Sequence, residues 1–328
     1  MDKPNPTKVT IRASARLHLG FIDLHGGLGR KYGSLGVSLQ HPVCVVEVNS
    51  ERTGLQVSGE HKDRVKEVAN RIIAHFGISQ GLRVTVWESI PHHVGLGSGT
   101  QLELAVATGI TSVAGIEPNT RELATILQRG VVSGVGTATF ALGGFVVDGG
   151  KVTEQPIEGV GPVPPLIIRH EIPSDWYFVV AIPKVTQGLS GVAEKRAFQD
   201  LPAAKPESAM KASRLLIMKL IPAIVENDLD LFGDALTQIQ ILVGQAFTSA
   251  QGGRFAYPEV SDCVSAMLDA GAKGVGQSSW GPTCYGLVRG PKVASEVKRI
   301  VSNVLDTSSG GTAFISTVNN QGAKITTH

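Results

Sequence analysis

Cysteine is scarce in this chain, with three residues in 328. Cys44, Cys263 and Cys284 lack the spacing of a metal site and sit in apolar or strand-like surroundings. They read as buried free thiols in a reducing cytosol. Charge of one sign is scarce too. Thirty Lys and Arg against 28 Asp and Glu leave a net +2, too little to suggest nucleic acid or a membrane surface as partner. No apolar run has spanning length, and Met1 to Lys8 carries no apolar leader. The motifs H-E-x-x-H, C-x-x-C, G-x-S-x-G and G-x-x-x-x-G-K-S/T are all missing, which removes the usual zinc, redox, serine-hydrolase and P-loop readings. The expectation is a soluble cytoplasmic protein acting on small molecules.

Apolar side chains and glycine are plentiful. Hydrophobic residues make up 42% of the chain and there are 39 glycines, enough for two ordinary domains. The glycines matter most between Ile90 and Ala107. A β-rich segment stops at Pro91, then Gly95, Gly97 and Gly99 alternate, and an apolar helix-like run follows from Thr100 to Val113. A glycine loop opening onto a helix N-terminus gathers unpaired N–H donors and the positive end of the helix dipole, the usual setting for phosphate. Gly95, Leu96, Gly97, Ser98, Gly99, Thr100 and Gln101 are therefore candidate phosphate-binding residues. A tight strand-to-helix turn without a ligand is the alternative. The helix is apolar on all sides, so it reads as the buried spine of the first domain.

Elsewhere the pattern gives strands over Val9–Ala15 (continuing to Asp23), Pro42–Val48, Trp176–Ile182 and Ala313–Val318. Amphipathic helices are expected over His61–Phe76, Ser208–Asn227, Leu229–Phe247, Pro258–Ala270 and Pro291–Leu305. Asn119 to Glu122 has capping-box spacing ahead of a short helix, Ala141–Asp148 reads as a strand, and Gly26 to Gly33 as an extended loop. Pro156–Pro173 is proline-rich and aperiodic, which sets a domain junction, with domains over 1–160 and 161–328. Without regular βαβ alternation the fold class is α+β. The apolar stretches Leu215–Val225 and Leu236–Phe247 leave room for a homodimer face.

A second glycine-rich piece, Gly274 to Thr283, offers Gly276, Gln277 and Ser278 to a ligand held from both sides, as in an interdomain cleft. Arg16, His18 and Asp23 interrupt an apolar strand, where buried polar residues need partners. Arg30 among the loop glycines and Lys184 at a strand end suit phosphate or carboxylate, or simply solvent.

Pro91-His92-His93-Val94-Gly95-Leu96-Gly97-Ser98-Gly99 resembles the Pro-x-x-x-Gly-Leu-Gly-Ser-Ser loop of the GHMP kinase superfamily, and Gly274–Gly281 its C-terminal glycine motif. That resemblance implies a ribosomal-protein-S5-like N-terminal domain and a ferredoxin-like C-terminal one. In those kinases that use an acidic base, it commonly stands in a Ser-Gly-x-Asp segment. Here the segment reads Ser133-Gly134-Val135-Gly136-Thr137, with glycine in the acidic place.

The finer pattern is similar to the β-ribofuranosylaminobenzene 5′-phosphate synthase family, through Ala15-Arg16-Leu17-His18-Leu19-Gly20-Phe21-Ile22-Asp23, Tyr32-Gly33-Ser34-Leu35-Gly36, Gly97-Ser98-Gly99-Thr100-Gln101 and Gly143-Gly144-Phe145-Val146-Val147-Asp148. The resemblance implies condensation of phosphoribosyl pyrophosphate with 4-aminobenzoate or 4-hydroxybenzoate, releasing CO2 and pyrophosphate, in methanopterin biosynthesis. It further implies Mg2+ assistance with Ser98 as a ligand, and 5′-phosphate or carboxylate contacts from Arg16, His18, Arg30 and Lys184. Asp23 would offset charge at the ribose C1, while Ser133, Gly134 and Thr137 would touch substrate. An ATP-dependent small-molecule kinase and a non-catalytic phosphate-ligand binding protein are the rival expectations.

Overall fold

In a computed structural model of the chain, the described residues are 5–154, 161–185 and 204–328. Residues 156–160 of the proline-rich stretch lie outside them, as do residues 186–191 of the segment Pro183–Gly191, which reads from sequence as a loop.

The first body is an eight-stranded sheet covered by helices. Its centre is the antiparallel pair β1 (Lys8–Asp23) and β2 (Arg30–Glu51). Period-two alternation over Val9, Ile11 and Ala13 sends these side chains inward, each with no exposure. β2 is long enough to serve two partners: Leu35–Val37 pairs with β5 (Phe145–Asp148), and Val45–Glu51 pairs with β4 (Gly81–Glu88). β3 (Leu55–Gly59) runs parallel to β4, β6 (Lys151–Val152) pairs with the start of β2, and β7 (Leu166–His170) extends the sheet from β5. The last strand, β12 (Lys324–Thr327), pairs with β1. The first sheet thus takes strands from both sides of residue 160.

Helices α1 (Lys62–Phe76) and α2 (Ser98–Val113) lie on this sheet. α2 buries residues on every face, among them Leu102, Leu104, Val106, Ala107, Ile110 and Val113, as its all-apolar pattern requires. Asn119 caps α3 (Thr120–Ile126) by accepting from the Glu122 N–H at 2.9 Å. α4 (Val135–Leu142) replaces the first part of the expected strand over Ala141–Asp148, of which only Phe145–Asp148 is extended. Its β-branched and glycine content disfavours helix in isolation. Burial of Val135 and Phe140 and the Thr139 Oγ1 bond to the Val135 carbonyl outweigh that preference. The Gly26–Gly33 segment likewise becomes extended early, since β2 begins at Arg30.

The second body is an antiparallel four-stranded sheet in the order β11 (Gly311–Ser316), β8 (Trp176–Pro183), β10 (Cys284–Arg289), β9 (Gly274–Gln277). That is the ferredoxin-like order. α8 (Pro258–Asp269) and α9 (Pro291–Thr307) cover one face through Val260, Met267, Val297 and Val301. On the other face, α5 (Pro206–Leu215) continues through a π-helical turn at Leu216–Leu220 into α6 (Ile221–Val225), followed by α7 (Leu229–Gln251). Phe178, Tyr285, Phe232 and Ile239 join this layer to the core of the first body. The three cysteines are buried and free, and no helix among the described residues is long and apolar enough to cross a membrane.

Candidate active site

The two glycine loops touch. Thr283 N–H donates to the Val94 carbonyl at 3.2 Å, and Ser278 N–H donates to the Thr283 carbonyl at 2.8 Å. A Cβ on Gly95 would stand 2.3 Å from the Ser278 carbonyl oxygen, and one on Gly281 would stand 2.1 Å from that of Val94. Only glycine permits backbones to approach so closely. The Gly95 carbonyl accepts from Ser278 Oγ at 2.7 Å and from Arg16 Nη1 at 2.6 Å. Ser278 Oγ in turn accepts the His18 N–H at 2.9 Å. One hydroxyl therefore ties β1, the first loop and the second loop together.

Beside this junction opens a cleft of about 350 Å3 lined by Arg16, Arg64, Arg129, His92, His93 and the loop from Gly95 to Thr100, with Ser279 to Gly281 opposite. The first intrahelical bond of α2 runs from Gln101 N–H to the Gly97 carbonyl. The amides of Ser98, Gly99 and Thr100 thus stand at the helix mouth, where the dipole favours anions. The alternate glycines also admit the cations: Gly97 packs under the Arg16 guanidinium and Gly99 under that of Arg64. Glu103, 5% exposed, bonds Arg64 Nε at 2.7 Å and Arg129 Nε at 2.5 Å. Burial would raise its pKa, but the hydrogen bonds and charge of Arg129 and Arg64 outweigh that and hold it below the ordinary range. Burial, then His61, Arg64 and His93, lower His92 to about 4, so it is neutral at pH 7. No Asp or Glu among the described residues lines the cleft.

On the other side of Ser279 and Trp280 lies a second, aromatic recess. Phe21, Phe247, Phe255 and Trp280 form its walls, with His18, Gln240, Gln277 and Arg254 around them. Gln240 and Gln277 are committed to the frame: Gln240 donates to the Leu19 carbonyl and accepts from Gln277 N–H, while Gln277 accepts from Ala256 N–H.

Several expected residues stand elsewhere. Arg30 gives Nε and Nη2 to the carbonyls of Gly149 and Gly150, both at 2.7 Å. Asp23 accepts the amides of His25 and Gly26 as a turn cap. Lys184 is exposed and lines neither recess. Leu96 is buried and accepts Arg16 N–H, Gln101 donates to the Gly136 carbonyl from full burial, and Gly276 packs against Gln240. Of the first loop, Gly95, Gly97, Ser98, Gly99 and Thr100 face the cleft. Ser133 and Gly134 hold the buried Asp148, and Thr137 lines a separate apolar cavity of about 400 Å3 beside α4. His18 is buried in the wall of the recess, and desolvation and then Arg16 lower its pKa to about 3, so it presents a neutral imidazole rather than a charge.

Sequence reading missed Arg64, Arg129 and Glu103. The last left a signal: it is the lone charge in α2, and a carboxylate on a helix buried all round requires cations.

The sequence pattern of the GHMP kinase N-terminal domain matches residues 63–144, and that of the GHMP kinase C-terminal domain matches residues 220–307. A homoserine kinase structure from Cytophaga hutchinsonii superposes with a TM-score of 0.73 at 21% identity, covering 99% of each chain. An L. major mevalonate kinase structure superposes with a TM-score of 0.69 at 13% identity, covering 98% of this chain and 100% of that one. Fold and the two matched sequence patterns define a protein of the GHMP kinase class. Within that class, β-ribofuranosylphenol 5′-phosphate synthase of Methanothermobacter thermautotrophicus is 34% identical over 85% of this chain and 88% of its own. The synthase of the same name from Archaeoglobus fulgidus is 35% identical over 84% and 87%. The chain belongs to the β-ribofuranosylphenol 5′-phosphate synthase family.

Proposed function

We propose that the protein is a decarboxylating phosphoribosyltransferase that joins phosphoribosyl pyrophosphate to 4-hydroxybenzoate, or to its 4-amino analogue, and releases CO2 and pyrophosphate. The observation that carries this reading is a cationic cleft, formed by Arg16, Arg64 and Arg129 beside the mouth of α2, whose lining holds no Asp or Glu among the described residues. Gly136 sits against Thr100, where its Cβ would stand 3.1 Å from Thr100 Cγ2, so the position that would bear an acidic base borders the phosphate loop and bears only hydrogen. Pyrophosphate departure needs charge neutralisation at the leaving oxygens, and no hydroxyl has to be deprotonated. The name shared by the relatives puts a phenol in their product, which favours the hydroxyl-bearing acceptor here.

In this reading the C1–O bond to pyrophosphate breaks while the amides of Ser98, Gly99 and Thr100 and the guanidiniums of Arg16, Arg64 and Arg129 hold the departing oxygens. The ring carbon bearing the carboxylate forms the bond to C1. The C–CO2 bond then breaks and returns its electron pair to the ring. Glu103 keeps two of the arginines in place. Among the described residues no group of three or more His, Cys, Asp or Glu is placed to hold a metal. The Ser98 hydroxyl, 7% exposed at the helix mouth, fits as one ligand of a Mg2+ ion otherwise bound by phosphate oxygens and water, which would add Lewis-acid neutralisation of the leaving group. The product suits methanopterin biosynthesis.

The test is incubation of the purified protein with Mg2+, phosphoribosyl pyrophosphate and carboxyl-labelled 4-hydroxybenzoate or 4-aminobenzoate. Labelled CO2 and pyrophosphate in equal amounts are expected. No labelled CO2 from either acid would overturn the reading, and ATP consumption with a polyol would replace it by a kinase.

A further inference from the structure

We infer that the aromatic recess behind Trp280 holds the ring of the aryl acid, and that His18 reads its para substituent, donating from Nε2 to a hydroxyl oxygen and disfavouring an amine. This rests on the proposed synthase reaction. Three features of the structure lead to it.

The recess adjoins the phosphate cleft, since Ser279 and Trp280 line both. Arg16 and His18 lie two residues apart on β1, on one face, so they are separated by about 6.6 Å of strand. Arg16 belongs to the cleft and His18 to the recess. A bond formed between a sugar carbon on one side and a ring carbon on the other needs this adjacency. From the carboxylate-bearing carbon to the para oxygen a hydroxybenzoate spans less than that strand step, so a ring fits between the two residues with its para end towards His18 and its reacting carbon towards the cleft.

The walls suit a flat ring. The Phe247 and Trp280 centroids stand 4.5 Å apart in an edge-on contact, and Phe21 lies 5.9 Å from Phe247 and 4.6 Å from the His18 imidazole. The concavity takes in about 400 Å3 with its solvent-open mouth, but only about 30 Å3 admits a water. A benzene-sized ring needs roughly five times that, about 150 Å3. Ring entry therefore moves Trp280 off Phe247.

His18 supplies the polar selector. Gly20 N–H donates to its Nδ1 at 3.3 Å, so the imidazole hydrogen is on Nε2. That Nε2 is buried and has no hydrogen-bond partner among the described residues. A buried N–H without an acceptor costs free energy that a ligand oxygen recovers. A phenol oxygen accepts such a bond. The nitrogen of an aryl amine, its lone pair delocalised into the ring, is a poor acceptor. Burial keeps His18 neutral, so a single donor is presented at any working pH.

The experiment pairs binding with turnover. In the wild type with Mg2+, 4-hydroxybenzoate should quench Trp280 fluorescence, with a Kd about tenfold below that of 4-aminobenzoate, and the quench should vanish in Trp280→Phe. His18→Met should lower kcat/KM for 4-hydroxybenzoate about tenfold and that for 4-aminobenzoate by less than threefold, leaving the KM for phosphoribosyl pyrophosphate in place. His18→Gln, which restores an N–H, should recover most of the loss. Equal Kd values for the two acids in the wild type, or equal losses for both in His18→Met, would overturn the assignment. Should His18→Met fail to fold, the wild-type Kd ratio and the Trp280→Phe quench decide alone. Quenching with the expected ratio but no labelled CO2 would retain the pocket and reject the reaction.

Discussion

The phosphate cleft and the aromatic recess share a wall at Ser279 and Trp280 and have little else in common. Three arginines and the open mouth of α2 line the cleft, and one buried carboxylate, Glu103, orders two of those arginines. Phenyl and indole rings form the walls of the recess, with the neutral imidazole of His18, glutamine amides and the single guanidinium of Arg254 around them. In the proposed reaction the difference maps onto the two halves of a ribosyl transfer. A pyrophosphate leaving group carries several negative charges and is stabilised by cations and aligned amides. A cationic sugar centre meeting a carbon nucleophile must be kept from water, which would hydrolyse it. Fixed charge serves the first half and aromatic enclosure the second, and the Ser278 hydroxyl bridges β1 and the two loops between them.

That contrast breaks most readily at the loop junction. Gly95→Ala places a methyl against the Ser278 carbonyl at a backbone φ of 99°, and steady-state kinetics should show kcat/KM for phosphoribosyl pyrophosphate falling about 10³-fold, or about 4 kcal/mol. A loss under tenfold would show that the loops need not meet. Glu103→Gln removes the charge that pairs Arg64 and Arg129. Because both arginines keep about a third of their exposure, the expected loss in urea unfolding is about 2 kcal/mol, below that of a fully buried pair. An unchanged midpoint would mean that the carboxylate does not organise the cleft.

The imidazole side is probed by acid. The folded pKa of His18 is depressed to about 3 from 6.5, so between those values the unfolded chain binds the extra proton. Stability from this group is full above pH 6.5 and falls as pH drops towards 3, with a limiting slope of about 1.4 kcal/mol per pH unit. His18→Gln should flatten the wild-type decline measured between pH 6 and 5, where few carboxylates titrate. Equal slopes would refute the buried neutral imidazole. Ser278→Ala deletes the hydroxyl bridge and should cost about 1 kcal/mol of stability while raising the KM values of both substrates. An effect on one substrate alone would separate the two recesses. Arg30→Ala, whose bonds are to the Gly149 and Gly150 carbonyls, should change kcat/KM less than twofold; a larger loss would return Arg30 to the substrate.

Much of this was readable in the chain. The alternating Gly95, Gly97 and Gly99 ahead of a mostly apolar helix marked the loop that lines the cleft, and the apolar periods of α1, α7, α8 and α9 gave the layers. What escaped was set by tertiary contact. α4 is helical against its composition because the sheet buries Val135 and Phe140. Arg64 and Arg129, 65 residues apart in sequence, meet only through Glu103. The recess joins Phe21 from β1 to Phe247 from α7, a pairing that no local pattern encodes. Arg30 and Asp23 looked chemical because they are polar beside glycines, yet their hydrogen bonds are spent on turns.

β12 returns to the edge of β1, where His328 N–H donates to the Lys8 carbonyl at 2.9 Å. Both ends of the described chain therefore lie in the first body, and the second is moored to it twice: once between β7 and β8, once between β11 and β12. A body held at two points cannot swing freely on one linker. Two moorings and a shared hydrophobic core restrain any movement that widens the space around Trp280, which favours small, repeatable displacement over wide opening.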